Sequence, residues 1–165
     1  EPLKRVGLVI DAFRGMPERQ LVVASGGSES GQLRERAAGA NNIRFTGWLE
    51  EQALQRLVGR ARAVVYVPVD EDFGMSPVEA MAAGKPVIGV AEGGLLESVV
   101  SGETGLLVEG ALEPGLIQRA VKELERADPR SMRAACELRA RDFSSDSFIR
   151  SMRSILRGAR SAQVG

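Results

Sequence analysis

The chain of 165 residues contains no histidine and a single cysteine, Cys136. The absence of histidine excludes the Ser–His and Cys–His pairs that activate a nucleophile, together with most zinc sites. One cysteine cannot form a disulfide within the chain, which is typical of a cytosolic protein. Cys136 lies in the helix-like run MRAACELRA, so we interpret it as a small core residue rather than a nucleophile.

The sequence also lacks long apolar runs and an overall excess of charge. No apolar run approaches the roughly 18 residues that a membrane-spanning helix needs, and no signal peptide is visible. The 22 basic and 22 acidic residues give a net charge of zero, which argues against nucleic-acid binding through bulk charge. The charge is uneven, however, because residues 130–165 hold 8 basic and only 3 acidic side chains.

Apolar residues make up 44% of the sequence, which is enough for the core of one domain. Short apolar runs predict strands over residues 21–24, 43–46, 63–67, 86–90 and 105–108. Amphipathic segments predict helices over residues 5–14, 32–38, 50–60, 95–100, 113–127, 129–142 and 145–159. This alternation predicts an α/β fold with a Rossmann-like, doubly wound parallel sheet, which binds ligands at the carboxyl ends of its strands.

The stretch EDFGMSPVEAMAAGKPV, residues 71–87, follows the most apolar predicted strand and allows two interpretations. In the structural one, Ser76 is the N-cap of a helix, Pro77 its first residue and Glu79 the partner in a capping box. The buried face of that helix would consist of Met75, Val78, Met81 and Ala82.

In the functional interpretation, the same stretch binds a diphosphate between two sugars. Gly74 has no Cβ, so a ligand can approach the backbone, and the amides of the first helical turn favour a phosphate. Glu71 and Glu79 would repel a phosphate but accept hydrogen bonds from sugar hydroxyls, at about 1.5–3 kcal/mol each. A nucleotide sugar combines these groups.

The same residues resemble the C-terminal, nucleotide-sugar-binding domain of retaining GT-B glycosyltransferases. The resemblance is greatest to the family that holds sucrose and sucrose-phosphate synthases and bacterial mannosyltransferases, family 4 in the usual classification. It runs from Lys4 to about Val108 and implies the C-terminal half of a GT-B fold. The motifs that carry it are Glu71-x7-Glu79, Gly84-Lys85-Pro86-Val87, Gly93-Gly94, Glu97 and Gly102-x-x-Gly105.

The resemblance implies a role for each matching position. Glu79 would hold the ribose hydroxyls of the nucleotide, and Glu71 would face the transferred sugar. Lys4 matches a lysine that neutralises the departing diphosphate, and Arg5 follows it, although both could also be solvated terminal charges. The sugar and the diphosphate would be cradled by the backbone of Phe73, Gly74, Met75 and Ser76.

Three further positions match parts of the family's donor site. Gly26 belongs to the run SGGS, residues 25–28, which matches a glycine turn near the diphosphate, although an ordinary strand-to-helix turn explains it equally well. Trp48 and Leu49 match the segment that passes the nucleotide base. Trp48 would either flank that base or pack in the core.

The resemblance implies transfer of a hexosyl group, of the mannose or glucose type, with retention of configuration. The donor would be a nucleotide diphosphate sugar, and the acceptor a glycan or a lipid-linked molecule in polysaccharide biosynthesis. No metal or other cofactor is expected, because cations and helix amides can stabilise the leaving group. The alternative is a metal ion bound by the acidic run at residues 70–72. Two competing functions are a GT-B nucleotide-sugar epimerase and a catalytically silent binding or assembly domain.

The family's domain normally opens with a strand and a glycine-arginine loop, and an acceptor-binding domain precedes it. Neither is visible here, and the sequence starts without methionine, so we expect a piece of a longer chain that transfers nothing by itself. We assign residues 1–142 to a donor-binding domain without its first strand, and residues 143–165 to a basic C-terminal helix.

In that helix the arginines at 150, 153, 157 and 160 lie largely opposite an apolar face. A basic amphipathic helix can rest on anionic lipid, which would bring a cytoplasmic protein to the inner face of the membrane. The interpretation that we favour is a helix that docks on its own domain or crosses to the acceptor domain. The apolar face consists of Phe148, Met152, Ile155 and Leu156.

Overall fold

The computed structural model of the chain describes residues 2–24 and 26–162. Ser25, in the predicted glycine turn, and residues 163–165, in the predicted C-terminal helix, lie outside the described residues, and so does the side chain of Arg160. Within these ranges, no helix has both the length and the apolarity that crossing a membrane requires.

Strands and helices alternate along the described chain, as predicted. The strands are β1 (Leu21–Ala24), β2 (Ile43–Gly47), β3 (Val64–Tyr66), β4 (Val87–Val90) and β5 (Gly105–Val108). The helices are α1 (Val6–Arg14), α2 (Ser30–Arg36), α3 (Glu51–Arg60), α4 (Met75–Ala82), α5 (Leu95–Ser98), α6 (Pro114–Arg126), α7 (Arg133–Asp142) and α8 (Ser145–Ala162). A 3-10 turn over Pro2–Lys4 precedes α1.

Every strand pairing is parallel, which confirms the predicted α/β class. β1 pairs with β2, and β4 lies between β3 and β5, so the described strands form a two-stranded and a three-stranded sheet. Helix α1 packs on α2 and α6, and α4 packs on α7. β1 and β3 are not paired with each other in the described ranges, and α1 links the two sheets because it contacts β2 and also α6, which packs on β4 and β5.

The core lies around the three-stranded sheet, where β4 is buried along its whole length. Cys136 of α7 is fully buried there, and its Sγ donates a weak hydrogen bond to the Thr104 carbonyl at 3.6 Å. Burial raises the pKa of the Cys136 thiol to about 11, so the predicted core role is confirmed. The largest buried side chains include Ile10, Met16, Met81, Ile88, Leu95, Ile117 and Leu124.

A buried amide fastens the two-stranded sheet to the end of α1. Asn42, just before β2, is 5% exposed. Its Nδ2 donates to the carbonyl oxygens of Phe13, Met16 and Arg19 at 2.9, 3.1 and 2.8 Å. Arg19 also holds the carboxylate of Glu125 on α6, at 2.7 Å from its closest nitrogen. The Phe13 and Met16 carbonyls also accept the backbone N–H groups of Met16 and Arg19, so the Asn42 amide adds a buried donor that ties the segment after α1 to β2.

Candidate functional site

The β3–α4 loop (residues 67–74) ends on a glycine that begins the next helix. Gly74 is the N-cap of α4 with φ 80°, a left-handed conformation that glycine adopts without strain. No side chain caps this helix, so the predicted capping box of Ser76 and Glu79 is wrong. Because α4 starts directly after Gly74, Pro77 is its third residue and Glu79 its fifth, beyond the reach of the N-cap amide.

The earlier start of α4 also changes which side chains it exposes. Val78 and Met81 are buried as predicted, whereas Met75 and Ala82 are exposed, so the predicted buried face is half wrong. Gly74 itself is buried, whereas Ser76 and Glu79 are exposed together with Met75 and Ala82. The start of α4 therefore exposes Met75 and Ser76, and the Glu79 carboxylate follows about one turn later.

Glu71 is held more firmly than its acidic neighbours in the β3–α4 loop. The hydroxyl of Tyr66, the last residue of β3, donates to Glu71 Oε2 at 2.5 Å. The backbone N–H of Gly94 donates to the Glu71 carbonyl at 2.8 Å. Glu71 is half-buried, while Asp70 and Asp72 are exposed. Both the backbone and the side chain of Glu71 are thus fixed at the end of the three-stranded sheet.

Two glycines allow the β4–α5 loop (residues 91–94) to lie directly against the β3–α4 loop. A Cβ on Gly94 would lie 2.5 Å from both the carbonyl oxygen of Asp72 and the Cα of Phe73. A Cβ on Gly93 would overlap the carbonyl oxygen of Glu71. The Gly93-Gly94 motif therefore has a steric reason, which is close contact between two loops.

Arg5 reaches both loops from the start of α1. It is the N-cap of α1 with φ 47°, a conformation that costs a non-glycine residue about 1 kcal/mol. Its guanidinium donates to the Pro68 carbonyl at 3.3 Å and to both carboxylate oxygens of Glu92 at 3.5 and 3.4 Å. The Val69 N–H donates to the Leu3 carbonyl at 2.7 Å. The structure thus brings Arg5 and the loop of Glu71 together.

Two other predicted site residues belong to the same segments as Arg5 and Glu71. Lys4 is exposed in the 3-10 turn directly before Arg5. The Phe73 ring packs edge-on against Phe143, with ring centroids 5.4 Å apart and an interplanar angle of 71°. Since the Phe73 side chain belongs to the core contacts, only its backbone could serve a ligand.

The remaining predicted residues follow the strands of the two-stranded sheet. The Trp48 side chain is 79% exposed, so the interpretation that it packs in the core is wrong. Leu49 beside it is half-buried. Gly26 is exposed, and after it the Gly27 N–H donates to Ser30 Oγ at 2.9 Å, which closes the turn into α2.

A half-open depression of about 230 Å³ lies apart from these residues, between α1 and α2. It is lined by Gly7, Leu8, Glu29, Gln32, Leu33 and Arg36. None of the predicted site residues lines it, so the candidate site does not coincide with this cavity.

The sequence analysis missed Tyr66 and Glu92. The sequence contains one tyrosine, and a phenol at the end of an apolar strand needs a polar partner when it is partly buried. Glu92 follows β4 at the edge of the sheet where ligands bind, so its position alone could have drawn attention. Nothing in the sequence, however, indicated that it pairs with Arg5.

The fold is that of a C-terminal-like GT-B glycosyltransferase domain. The chain superposes on a solved GtfA/B complex with a TM-score of 0.85 and 21% identity, over 98% of this chain and 34% of that one. It matches the structure of Anabaena HepE in complex with UDP and glucose with a TM-score of 0.80 and 21% identity, over 94% of this chain and 45% of that one. At these identities the likeness shows the fold alone.

The sequence identifies the family. The model of the family "Glycosyl transferases group 1" matches residues 1–143, and the chain belongs to this family. It is 34% identical to a D-inositol 3-phosphate glycosyltransferase of Mycolicibacterium vanbaalenii, over 87% of this chain and 36% of the relative. It is 35% identical to the alpha-1,3/1,6-mannosyltransferase ALG2 of Dictyostelium discoideum, over 65% of this chain and 31% of the relative. The chain thus spans about a third of these relatives' length.

Proposed function

We propose that this chain is the donor-binding domain of a retaining glycosyltransferase that transfers a hexosyl group of the mannose or glucose type. Its donor is a nucleotide diphosphate sugar, and its acceptor is a glycan or a lipid-linked molecule. The observation that carries the proposal is the β3–α4 loop. There, a fixed carboxylate, Glu71, precedes the uncapped start of α4, and a second carboxylate, Glu79, is exposed on that helix.

Each part of this surface suits one part of the donor. The first amides of α4 and the helix dipole favour the diphosphate, and the left-handed turn at Gly74 lets the helix begin directly after the loop. Glu71 and Glu79 accept hydrogen bonds from the hydroxyls of the transferred sugar and the ribose, respectively. Gly26 contributes to the diphosphate side, and Trp48 with Leu49 to the base.

The cations at the start of α1 serve the leaving diphosphate. Arg5 is already beside the β3–α4 loop, where Glu92 holds its guanidinium, and Lys4 directly precedes it. Together with the amides of α4 they stabilise the charge that develops as the sugar departs, so we propose that no metal is needed.

The comparisons support a nucleotide-sugar donor. Anabaena HepE, which shares this fold, has been solved with UDP and glucose bound. The curated relatives include a mannosyltransferase and an inositol phosphate glycosyltransferase. These names favour hexosyl transfer as the reaction of the whole protein.

Calorimetric titration with UDP, GDP, UDP-glucose and GDP-mannose tests the proposal. One of the nucleotides should bind, and Glu79→Ala should weaken its binding about tenfold, the effect of losing a hydrogen bond to a charged group. Glu123→Ala is the matched control, since Glu123 is an exposed helical carboxylate on α6. Binding of no nucleotide would favour the silent assembly domain, and unchanged affinity in Glu79→Ala would remove that residue from the site.

We also propose peripheral contact with the cytoplasmic face of a membrane through α8. All of residues 148–157 are exposed, so docking of this segment on its own domain is wrong. Phe148, Ile155 and Leu156 are about 60% exposed or more on the apolar face. Arginines 150, 153 and 157 on the polar side match an anionic surface.

Co-sedimentation with vesicles tests this contact. The chain should sediment with phosphatidylglycerol vesicles and much less with phosphatidylcholine vesicles, and removal of residues 145–165 should abolish the difference. Equal sedimentation with and without those residues would leave contact with another domain as the explanation for the exposed face.

A further inference from the structure

We propose that Tyr66 is a positioning residue that determines how well the site distinguishes a nucleotide sugar from the bare nucleotide. In this proposal its hydroxyl fixes the Glu71 carboxylate so that the second oxygen, Oε1, receives a hydroxyl of the transferred sugar. The inference rests on the proposed function and deepens it.

The position of Tyr66 in the fold makes it a rigid donor. It is the last residue of β3 and pairs with Gly89 on β4, the strand that is buried along its whole length. The 2.5 Å distance from its hydroxyl to Glu71 Oε2 is short, as expected when a phenol donates to an ionised carboxylate. The backbone that carries the hydroxyl is therefore held by pairing with a fully buried strand.

The hydrogen bond determines what Glu71 can do for a ligand. A free glutamate side chain loses rotamer entropy when it is ordered by a ligand. In this structure Tyr66 and the Gly94 amide have already ordered Glu71, so a ligand would not bear that cost. Tyr66 occupies Oε2, and no hydrogen bond to Oε1 is present in the described part of the chain.

The Glu79 side chain is less ordered than that of Glu71. Its side chain is exposed on α4, and within the described ranges no donor holds it. The two carboxylates of the site therefore differ in order, with Glu71 fixed in advance and Glu79 free to adapt. Loss of the Tyr66 hydroxyl should consequently weaken recognition of the sugar and leave recognition of the nucleotide intact.

The test compares the affinities of UDP-glucose with UDP, and of GDP-mannose with GDP, in the wild-type chain and in Tyr66→Phe. The preference for the sugar over the bare nucleotide should fall about five- to tenfold in Tyr66→Phe, within the range of one hydrogen bond to a charged group. The affinity for the bare nucleotide should not change, which a general loss of structure would not allow.

A double-mutant cycle with Glu71→Ala separates positioning from a direct contact. If Tyr66 acts through Glu71, Tyr66→Phe should have no further effect on the preference once Glu71 is alanine. An undiminished preference in Tyr66→Phe, or a further loss in the double variant, would overturn the inference. Should Tyr66→Phe fail to fold, Glu71→Asp moves the carboxylate away from the hydroxyl and should lower the same preference.

The wild-type result distinguishes the two proposals. Binding of no nucleotide would defeat the proposed function and this inference with it. Equal binding of a nucleotide and its sugar conjugate would leave nucleotide binding intact and defeat the inference alone.

Discussion

The two sheets of this domain differ in how completely their strands are covered. In the three-stranded sheet β4 is buried at all four positions and β5 at two of its four, although β3 is half-buried throughout. In the two-stranded sheet neither β1 nor β2 has a buried position. Between residues 38 and 66 no hydrophobic side chain is buried, and neither α2 nor α3 has a buried residue. Glu71 and the start of α4 lie on the well-covered sheet, and Trp48 lies at the end of the other.

This difference indicates which part of the site is rigid. Regions with few buried apolar contacts open at lower free energy than the core, so the two-stranded sheet should exchange its amide hydrogens faster. Groups that fix a geometry work best on well-packed elements, which suits the position of Glu71. A more flexible two-stranded sheet suits the proposed contact of Trp48 with a nucleotide base, because the sheet could adjust to that base.

The largest effect is expected where the two loops of the well-covered sheet touch. Gly94→Ala introduces a Cβ 2.5 Å from two backbone atoms of the β3–α4 loop, which cannot move as a side chain can. We expect a loss of about 2–3 kcal/mol in the free energy of unfolding, together with weaker nucleotide binding, measured by urea denaturation and calorimetry. Gly115→Ala is the control, because its Cβ has no neighbour closer than 3.9 Å.

A smaller loss is expected at the attachment of the two-stranded sheet. Asn42→Ala removes the buried amide donor that the carbonyls of Phe13, Met16 and Arg19 share, at a cost of about 2 kcal/mol. Hydrogen exchange should accelerate in β1 and β2 more than in β4. The exposed neighbour Asn41 gives the control Asn41→Ala, and equal acceleration in both sheets would mean that they unfold as one unit.

The ion pair between Arg19 and Glu125 should add a pH-dependent contribution to the free energy of unfolding. The Arg19 guanidinium holds the pKa of Glu125 below its usual range, so the stabilisation is present above that range and is lost as the pH falls through the lowered value. Glu125→Gln should cost about 0.5–1 kcal/mol at pH 7 and progressively less as the pH falls through the acid range, measured by urea unfolding. Glu123→Gln on the same helix should match the wild type throughout.

The smallest change should be a gain in the stability of α3. A Cβ on Gly59 of α3 would meet nothing within 4 Å, so Gly59→Ala should stabilise that helix by about 0.5–1 kcal/mol through its higher helix propensity. If the two-stranded sheet opens separately, slower exchange in α3 and β2 should accompany an unchanged global unfolding midpoint. A rise in the global unfolding midpoint that corresponds to the same gain in free energy would show that the two sheets unfold together.

The sequence predicted the alternation of strands and helices because each strand is a short apolar run between turn residues. It failed at the start of α4, where Ser76-Pro77 has the composition of a helix start. The helix begins earlier, directly after Gly74, because the left-handed conformation of this glycine turns the chain into α4. It also failed at the start of α7, predicted at residue 129 but observed at Arg133, because Asp128 turns the chain with φ 52°.

The candidate site was only partly predictable for a different reason. Motif spacing indicated Glu71 and Glu79, since both lie within a few residues of one glycine. Tyr66 and Glu92 act through contacts between separate loops, and a single sequence carries no information on such pairs. The steric need for Gly94 likewise becomes visible only when the two loops are seen against each other.

The separation of the strands into two sheets has a consequence for handling the chain in isolation. β1 and β3 each have a partner on one side only within the described ranges, and their sequences, LVVA and VVY, carry no charge. A strand edge of this composition that has no paired neighbour can act as a template on which another extended chain adds. Concentrated samples of the domain should therefore self-associate reversibly, and Val22→Lys should keep them monodisperse.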